Sequence, residues 1–311
     1  MEKAILKTLI YADIFDYPLK INEIHKWLIG KKSTLRQLEK ALRQLYKVSS
    51  IEYKGGYYFL RKRGGLAVRR QRREEQSVYY LRKAKMLCRI LKIIPWIKLV
   101  GISGGLALRN ASKKDDIDLF IITAKNRLWL SRFLSLGILS LIGQRRKVDD
   151  TGRKIAGKLC LNILLEEDRL EQRSKDIFVA HEVLQMKVLW QRDRIYGKYL
   201  EDNFWAFKFL PNWVGVNNFS RQPRSLARQR KRPAVASGDL GYARFARLGL
   251  AAFGDSLLLF VEVLAKRLQL KIMQRPKGLE RIEDGALYFH PEDCRSKVLS
   301  EYQRNLLVVL Q

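Results

Sequence analysis

Acidic residues, cysteine and histidine are all scarce in this chain. Thirty-one Asp and Glu stand against 61 Lys and Arg, giving a formal net charge of +30 over 311 residues. The three cysteines, Cys88, Cys160 and Cys294, are odd in number and far apart. That excludes a disulfide framework and a CxxC metal site, and it fits a reducing, cytoplasmic setting. His181-Glu182 opens a stretch that a zinc protease would continue as HExxH, but Gln185 stands where the second histidine is required. His181 is therefore read as structural or partner-facing.

Long apolar runs are missing as well. Residues 128–143 (LWLSRFLSLGILSLIG) number 16 and contain Arg132. Residues 248–261 are fewer and contain Asp255. Both fall short of the ~20 residues of a spanning helix and read as buried helices. The opening MEKAILKTLIYADIFDYP is not read as a signal peptide, because Asp13 and Asp16 interrupt it and no small-residue cleavage site follows. What remains is 47% hydrophobic, enough for packed cores. The positive excess attracts polyanions, with nucleic acid first, nucleotides second and an anionic membrane surface third.

The chain divides into three parts. In residues 1–64 helical patterns cover 1–14, 21–29 and about 35–47. Thr34 and Gln37 are spaced as a capping box, and a stripe of Leu35, Leu38, Leu42 and Leu45 follows. The far side of that third helix carries Arg36, Lys40, Arg43 and Lys47. Two β-prone runs then flank Lys54-Gly55-Gly56, a hairpin signal. Seven basic residues crowd 61–73, to run along phosphates or to form the solvated face of a long helix over about 66–93. In residues 65–190 the strand patterns WIKLVGI, IDLFIIT and KLCLNILL alternate with helical ones at 106–113, 126–143 and 175–189. Residues 191–311 read as mainly helical and basic, with 221–240 a loop or linker. Trp205, Phe209 and Trp213 read as core or a docking corner. The expected class is α+β or mixed α/β with a small mixed sheet.

The scarce carboxylates are concentrated at one place. Residues 100–123 read VGISGGLALRNASKKDDIDLFIIT. Gly104 and Gly105 end a strand, where the lack of a Cβ admits a phosphate chain to the backbone. Ser103 precedes them, and a helix start near Leu106 adds partial positive charge. Asp116 and Asp118 are two apart, which on a strand turns both carboxylates to one side while Asp115 and Ile117 face away. A carboxylate pair opposite a phosphate cradle suits divalent cations. Arg109, Lys113 and Lys114 lie between the halves, where they would steady a triphosphate.

This G-G-x10-D-x-D spacing between two apolar strands resembles the signature of the DNA polymerase beta-like nucleotidyltransferase superfamily. The resemblance implies Mg2+ (or Mn2+) on Asp116 and Asp118, with a nucleoside triphosphate on Ser103, Gly104, Gly105 and Arg109. Catalysis would then rest on Asp116 and Asp118, and a nucleoside monophosphate would pass to an acceptor. The family's third carboxylate falls at Asn162 here, a departure, with Asp149, Asp150, Glu166 and Glu167 as the acids that would substitute. Three helices and a hairpin resemble a winged-helix domain, which implies contact with DNA, RNA or protein. The alternative is a winged-helix regulator with a degenerate, nucleotide-sensing domain.

Overall fold

The computed structural model describes residues 1–147, 150, 152–213, 241–273, 279–290 and 294–310. The segment 221–240 and Asp149 lie outside them. The chain opens with α1 (Glu2–Asp13), α2 (Ile21–Lys26) and α3 (Leu35–Lys47), followed by a hairpin of β1 (Ile51–Lys54) and β2 (Tyr57–Leu60). Thr34 Oγ1 accepts from the Gln37 amide at 3.3 Å, while Gln37 Oε1 accepts from the Thr34 amide at 3.1 Å. The hairpin turns on Gly55 and Gly56, both at positive φ, the geometry a tight two-residue turn requires. Ile5, Leu9, Ile24, Leu28, Leu38, Leu42 and Ile51 form a core of their own. Leu35 lies outside it, 41% exposed, because it sits at the first helical position rather than on the inner stripe.

A 26-residue helix, α4 (Leu66–Leu91), leads into a mixed six-stranded sheet. Its strands are β3 (Ile97–Ile102), β4 (Ile117–Thr123), β5 (Leu159–Glu166), β6 (Lys187–Gln191), β7 (Leu279–Glu283) and β8 (Ala286–His290), in the order β6-β3-β4-β5-β8-β7. Only β4 and β5 are parallel. Between strands come α5 (Gly104–Ala107), α6 (Leu128–Leu141) and α7 (Ile177–Gln185). Then follow α8 (Ile195–Asp202), α9 (Ala206–Phe209), α10 (Gly241–Met273) and α11 (Cys294–Leu310).

Alternation along β4 explains the layering. Leu119 and Ile121 pack into one core with residues of α4 and α6, and Phe120 and Ile122 pack into another with residues of α7, α8 and α11. Helices therefore cover both faces, and each fully buried leucine or isoleucine contributes about 1.5–3 kcal/mol. Asp118 shares the strand face of Phe120 and Ile122, toward α7 and α1. Among the described residues no helix is long and apolar enough to cross a membrane.

Three elements depart from the sequence pattern. The helix expected over 175–189 stops at Gln185. Met186 takes φ −50°, ψ 128°, and the next five residues become an edge strand on β3. The helix expected through 113 closes at Ala107, because Arg109 adopts φ +56° and the Asn110 amide bonds back to the Gly105 carbonyl at 2.8 Å. The C-terminal part supplies two strands as well as helices. It also supplies Glu262, whose carboxylate accepts from the amides of Trp129 (2.7 Å) and Leu130 (2.8 Å) and so caps α6 from a distance.

The basic run at 61–73 does not lie free along the surface. Arg63 bonds Asp13 and Asp16, Arg69 bonds Asp16, and Arg73 bonds the Phe15 carbonyl. Arg70 is 1% exposed. Its guanidinium donates to the carbonyls of Leu108 (3.3 Å) and Arg109 (2.6 Å) and pairs with Glu23 (3.0 Å) and Glu74 (3.1 Å). One side chain thus joins α2, α4 and the loop after α5. Arg70→Met removes every one of these donors, and Glu23 and Glu74 keep some solvent. A loss of about 2–3 kcal/mol is expected, just below the range for a fully buried pair. Urea denaturation of the variant checks it, and an unchanged midpoint would contradict this role.

Candidate functional site

Strand register brings the acids together. Asp118 pairs with Cys160 across the parallel β4–β5 ladder, and Asp116 precedes the first residue of β4. The ligand atoms of Asp116, Asp118 and Cys160 all lie within 4.8 Å of one another. Asp115 turns back on its own loop, accepting from the Ser112 amide (2.8 Å) and hydroxyl (2.6 Å). Ile117 points into the opposite core.

The glycine turn closes over this pair. Gly104 has φ +61°, and a Cβ there would stand 2.9 Å from Asp118 Oδ2. The left-handed φ favours glycine at this point, and a side chain there would displace the Asp118 carboxylate. The Ser103 amide donates to the Asp118 carbonyl at 3.0 Å, fixing the two strand ends against each other. Gly105 is exposed beside it. The amides of this first helical turn have no intrahelical acceptors, but α5 has only four residues, so its dipole is small.

Burial, and then the charge of Asp116, push the Asp118 carboxyl well above its ordinary range. Among the described residues no group donates a hydrogen bond to the Asp118 carboxylate. Arg146 serves the other acid: its Nη1 donates to Asp116 Oδ2 at 2.5 Å, and despite burial its pKa is raised by the carboxylates. The chain segment of Arg146 is held beside β5 by bonds from the Leu159 amide to the Gln144 carbonyl (2.8 Å) and from the Arg146 amide to the Leu159 carbonyl (3.0 Å). Two converging carboxylates, one lacking a cationic partner of its own, suit a hard divalent ion such as Mg2+ or Mn2+. The sulfur of Cys160 is a soft donor and adds little for such an ion. The oxygen pair fits the ion that the motif implies.

Asn162 lies one step deeper, where a bulge interrupts the β4–β5 register. Its Nδ2 lies 3.5 Å from Ser103 Oγ, so it steadies the glycine turn. Among the described residues no third carboxylate joins the pair within 4.8 Å. Asp150 pairs with Lys158 at 3.1 Å. Glu166 and Glu167 sit at the far end of β5, about 20 Å along the strand from Cys160 at ~3.3 Å per residue. Glu167 is engaged there by Lys98. Arg109 is exposed and near Lys187, whose amine is lowered by burial and then by Arg109. Lys113 and Lys114 are exposed.

Beside the carboxylates a cleft with a void of about 90 Å³ opens between α1, α5 and α7. Gly104 and Gly105 form one side, and Tyr11, Phe15, Trp27, His181, Glu182 and Gln185 line the rest. His181 is a wall of this cleft. It stacks on Tyr11 at 4.1 Å, its Nδ1 donates to the Ile177 carbonyl at 2.9 Å, and burial holds its pKa down at about 4. Glu182 is bonded by Gln185 Nε2, and burial pushes it up to about 7. Trp205, Phe209 and Trp213 pack against the main core, away from the carboxylates. Sequence reasoning misses Arg146, Cys160 and the cleft role of Glu182. The first has a signal in the basic pair Arg145-Arg146 just ahead of the third strand. The second needs the strand register, and the third needs the packing of α7 on α1.

The two enclosed titratable neighbours act on stability in opposite senses. The folded pKa of His181 lies below the ordinary 6.5, so the unfolded chain binds the proton first and stability falls as pH drops from 6.5 toward 4. The folded pKa of Glu182 lies above the ordinary 4.5, so its contribution is complete below 4.5 and is lost as pH rises to 7. Between pH 4.5 and 6.5 the slopes cancel. Glu182→Gln leaves the histidine slope alone. At about 1.4 kcal/mol per pH unit, the variant should lose roughly 2–3 kcal/mol relative to wild type over that interval. Urea denaturation at both pH values checks this, and parallel curves would contradict it.

The chain matches no protein-family model, no curated protein and no solved structure. Its function is therefore read from the chemistry of the carboxylate pair and the cleft beside it.

Proposed function

We propose that this chain is a nucleotidyltransferase: it moves a nucleoside monophosphate from a nucleoside triphosphate to an acceptor and releases pyrophosphate. One observation carries this reading. The Asp116 and Asp118 carboxylates converge within 4.8 Å, with Asp118 Oδ2 packed against the glycine turn at Gly104. Asp116 and Asp118 would hold Mg2+ or Mn2+, which when bound neutralises phosphoryl oxygens and lowers the pKa of an attacking hydroxyl. Gly104 and Gly105 leave the backbone open to a phosphate chain. Arg146 holds Asp116 in place, and Arg109, exposed just past the glycine turn, would meet the triphosphate. Chemistry of this kind is chiefly positioning and charge neutralisation, and it needs no histidine nucleophile.

RNA is the favoured acceptor class, with a protein hydroxyl or a small molecule as the other candidates. Support comes from the net charge of +30. It also comes from the outer face of α3, where Arg36, Lys40, Arg43 and Lys47 are all exposed. We read the N-terminal helices and hairpin as a winged-helix-like module that brings a nucleic acid to the site. A specific observation favours the second reading, a regulator that senses nucleotide without turning it over. Asn162 contacts Ser103 rather than completing a carboxylate triad, and a thiol stands next to the pair.

The two readings separate in one experiment. The purified protein is incubated with each α-³²P nucleoside triphosphate, Mg2+ or Mn2+, and a total RNA and protein extract. Alongside it runs the variant carrying Asp116→Asn and Asp118→Asn. Transfer of label to RNA, protein or small molecules, lost at least a hundredfold in the double variant, is the expected result. Metal-dependent nucleotide binding with no transfer would move the assignment to the regulator.

A further inference from the structure

The aromatic cleft is not needed to hold phosphates, yet it shares Gly104 and Gly105 with the carboxylate pair. A ligand whose phosphates lie on the glycine turn continues into it. The back wall is rigid: His181 is stacked on Tyr11 at 4.1 Å and on Trp27 at 5.6 Å. Phe15, tilted 5.5 Å from Tyr11, is 37% exposed. Such a lining suits a planar heteroaromatic guest.

Several polar groups in the lining already have partners, among them the Tyr17 hydroxyl, which donates to Glu23 Oε1 at 2.9 Å. Thr8 Oγ1 is engaged by the Ala4 carbonyl and the Ile29 amide. The Asn110 side chain is engaged by Phe15 and Arg73. Glu182 is the one acid among the lining residues, and Gln185 orients it.

We propose that this cleft receives the base of the nucleoside triphosphate, and that Glu182 selects guanine by accepting from its N1–H and N2–H2 groups. This rests on the nucleotidyl-transfer reading of the neighbouring carboxylates. An ionised carboxylate only accepts hydrogen bonds. Guanine presents two adjacent donors on its Watson–Crick edge. Adenine and cytosine present one donor beside an acceptor, and uracil presents one donor between two acceptors. Every base but guanine therefore sets an acceptor against the carboxylate or leaves part of it unpaired. A site built around a buried hydrogen bond rejects analogues that cannot make it. Burial brings Glu182 to about 7, so the charged form is available at mildly alkaline pH.

The test is calorimetric binding of GTP, ATP, CTP, UTP and guanosine to the full-length protein at pH 8 with Mg2+ and no acceptor. GTP should bind at least tenfold more tightly than ATP. Glu182→Gln should weaken GTP at least tenfold and leave ATP within about threefold. The wild-type ranking needs no variant, so a misfolded Glu182→Gln protein does not shelter the proposal. With Asp116→Asn and Asp118→Asn, guanosine should bind as before while GTP loses its dependence on Mg2+. Equal affinities for GTP and ATP would overturn the base assignment and leave the transfer reading standing. Selective guanosine binding to wild type to which the triphosphate adds nothing would keep the cleft and sink the transfer reading. An oligoribonucleotide ending in guanosine that displaces guanosine where GTP does not would give the cleft to the acceptor and overturn the proposal.

Discussion

Two carboxylates confined within 4.8 Å repel, by about 3–4 kcal/mol at an effective dielectric near 20, and the architecture around them is arranged to tolerate this. Arg146 neutralises Asp116. Gly104 makes room for Asp118 without a Cβ and is held in the left-handed region to do so. The parallel pairing of β4 with β5 fixes the spacing, because Asp118 stands opposite Cys160 and cannot swing away without breaking the ladder. A chain with a net charge of +30 has ample cations to cancel both acids. Yet among the described residues only Arg146 forms an ion pair with either. One acid is anchored, and the carboxylate of its half-buried neighbour accepts no hydrogen bond among the described residues.

The N-terminal helices matter to this site through Arg70 rather than through sequence proximity. The buried guanidinium holds the backbone of Leu108 and Arg109, just past the glycine turn, to Glu23 on α2 and Glu74 on α4. The same docking places Tyr11, Phe15 and Trp27 opposite α7 and creates the cleft. A single desolvated cation therefore connects the module carrying the basic α3 face to the turn proposed to receive phosphates. The Tyr17 hydroxyl on the Leu108 carbonyl and the Asn110 side chain on the Phe15 carbonyl add parallel links.

Short-range rules account for much of this arrangement. The capping box at Thr34 and Gln37, the Gly55-Gly56 hairpin and the strands on either side of the glycine pair are legible in the sequence, and they form within a residue or two of their expected places. The carboxylate pair is legible because period-two alternation is a property of the strand itself. What stays hidden depends on tertiary pairing. β6 carries a helical pattern that its pairing with β3 overrides, and β7 and β8 are recruited by the edge of β5. Arg70 reads as one of seven basic residues in a run, and nothing local distinguishes the buried one from its exposed neighbours Arg69 and Arg72. Cys160, rather than Asn162, stands beside the carboxylates because a bulge follows Leu161, and a bulge has no signature in LCLNILLE. Glu182 gains its setting from the packing of α7 on α1, which no spacing within α7 encodes.

The central claim is that Asp116 and Asp118 form a divalent-cation site completed by nucleotide phosphates. Electron paramagnetic resonance of Mn2+ titrated into the full-length protein, with and without a nucleoside triphosphate, tests it most directly. The account predicts Mn2+ binding that tightens at least tenfold when the nucleotide is present and is abolished by Asp118→Asn. Mn2+ bound equally well by wild type and Asp118→Asn, or indifferent to the nucleotide, would contradict it.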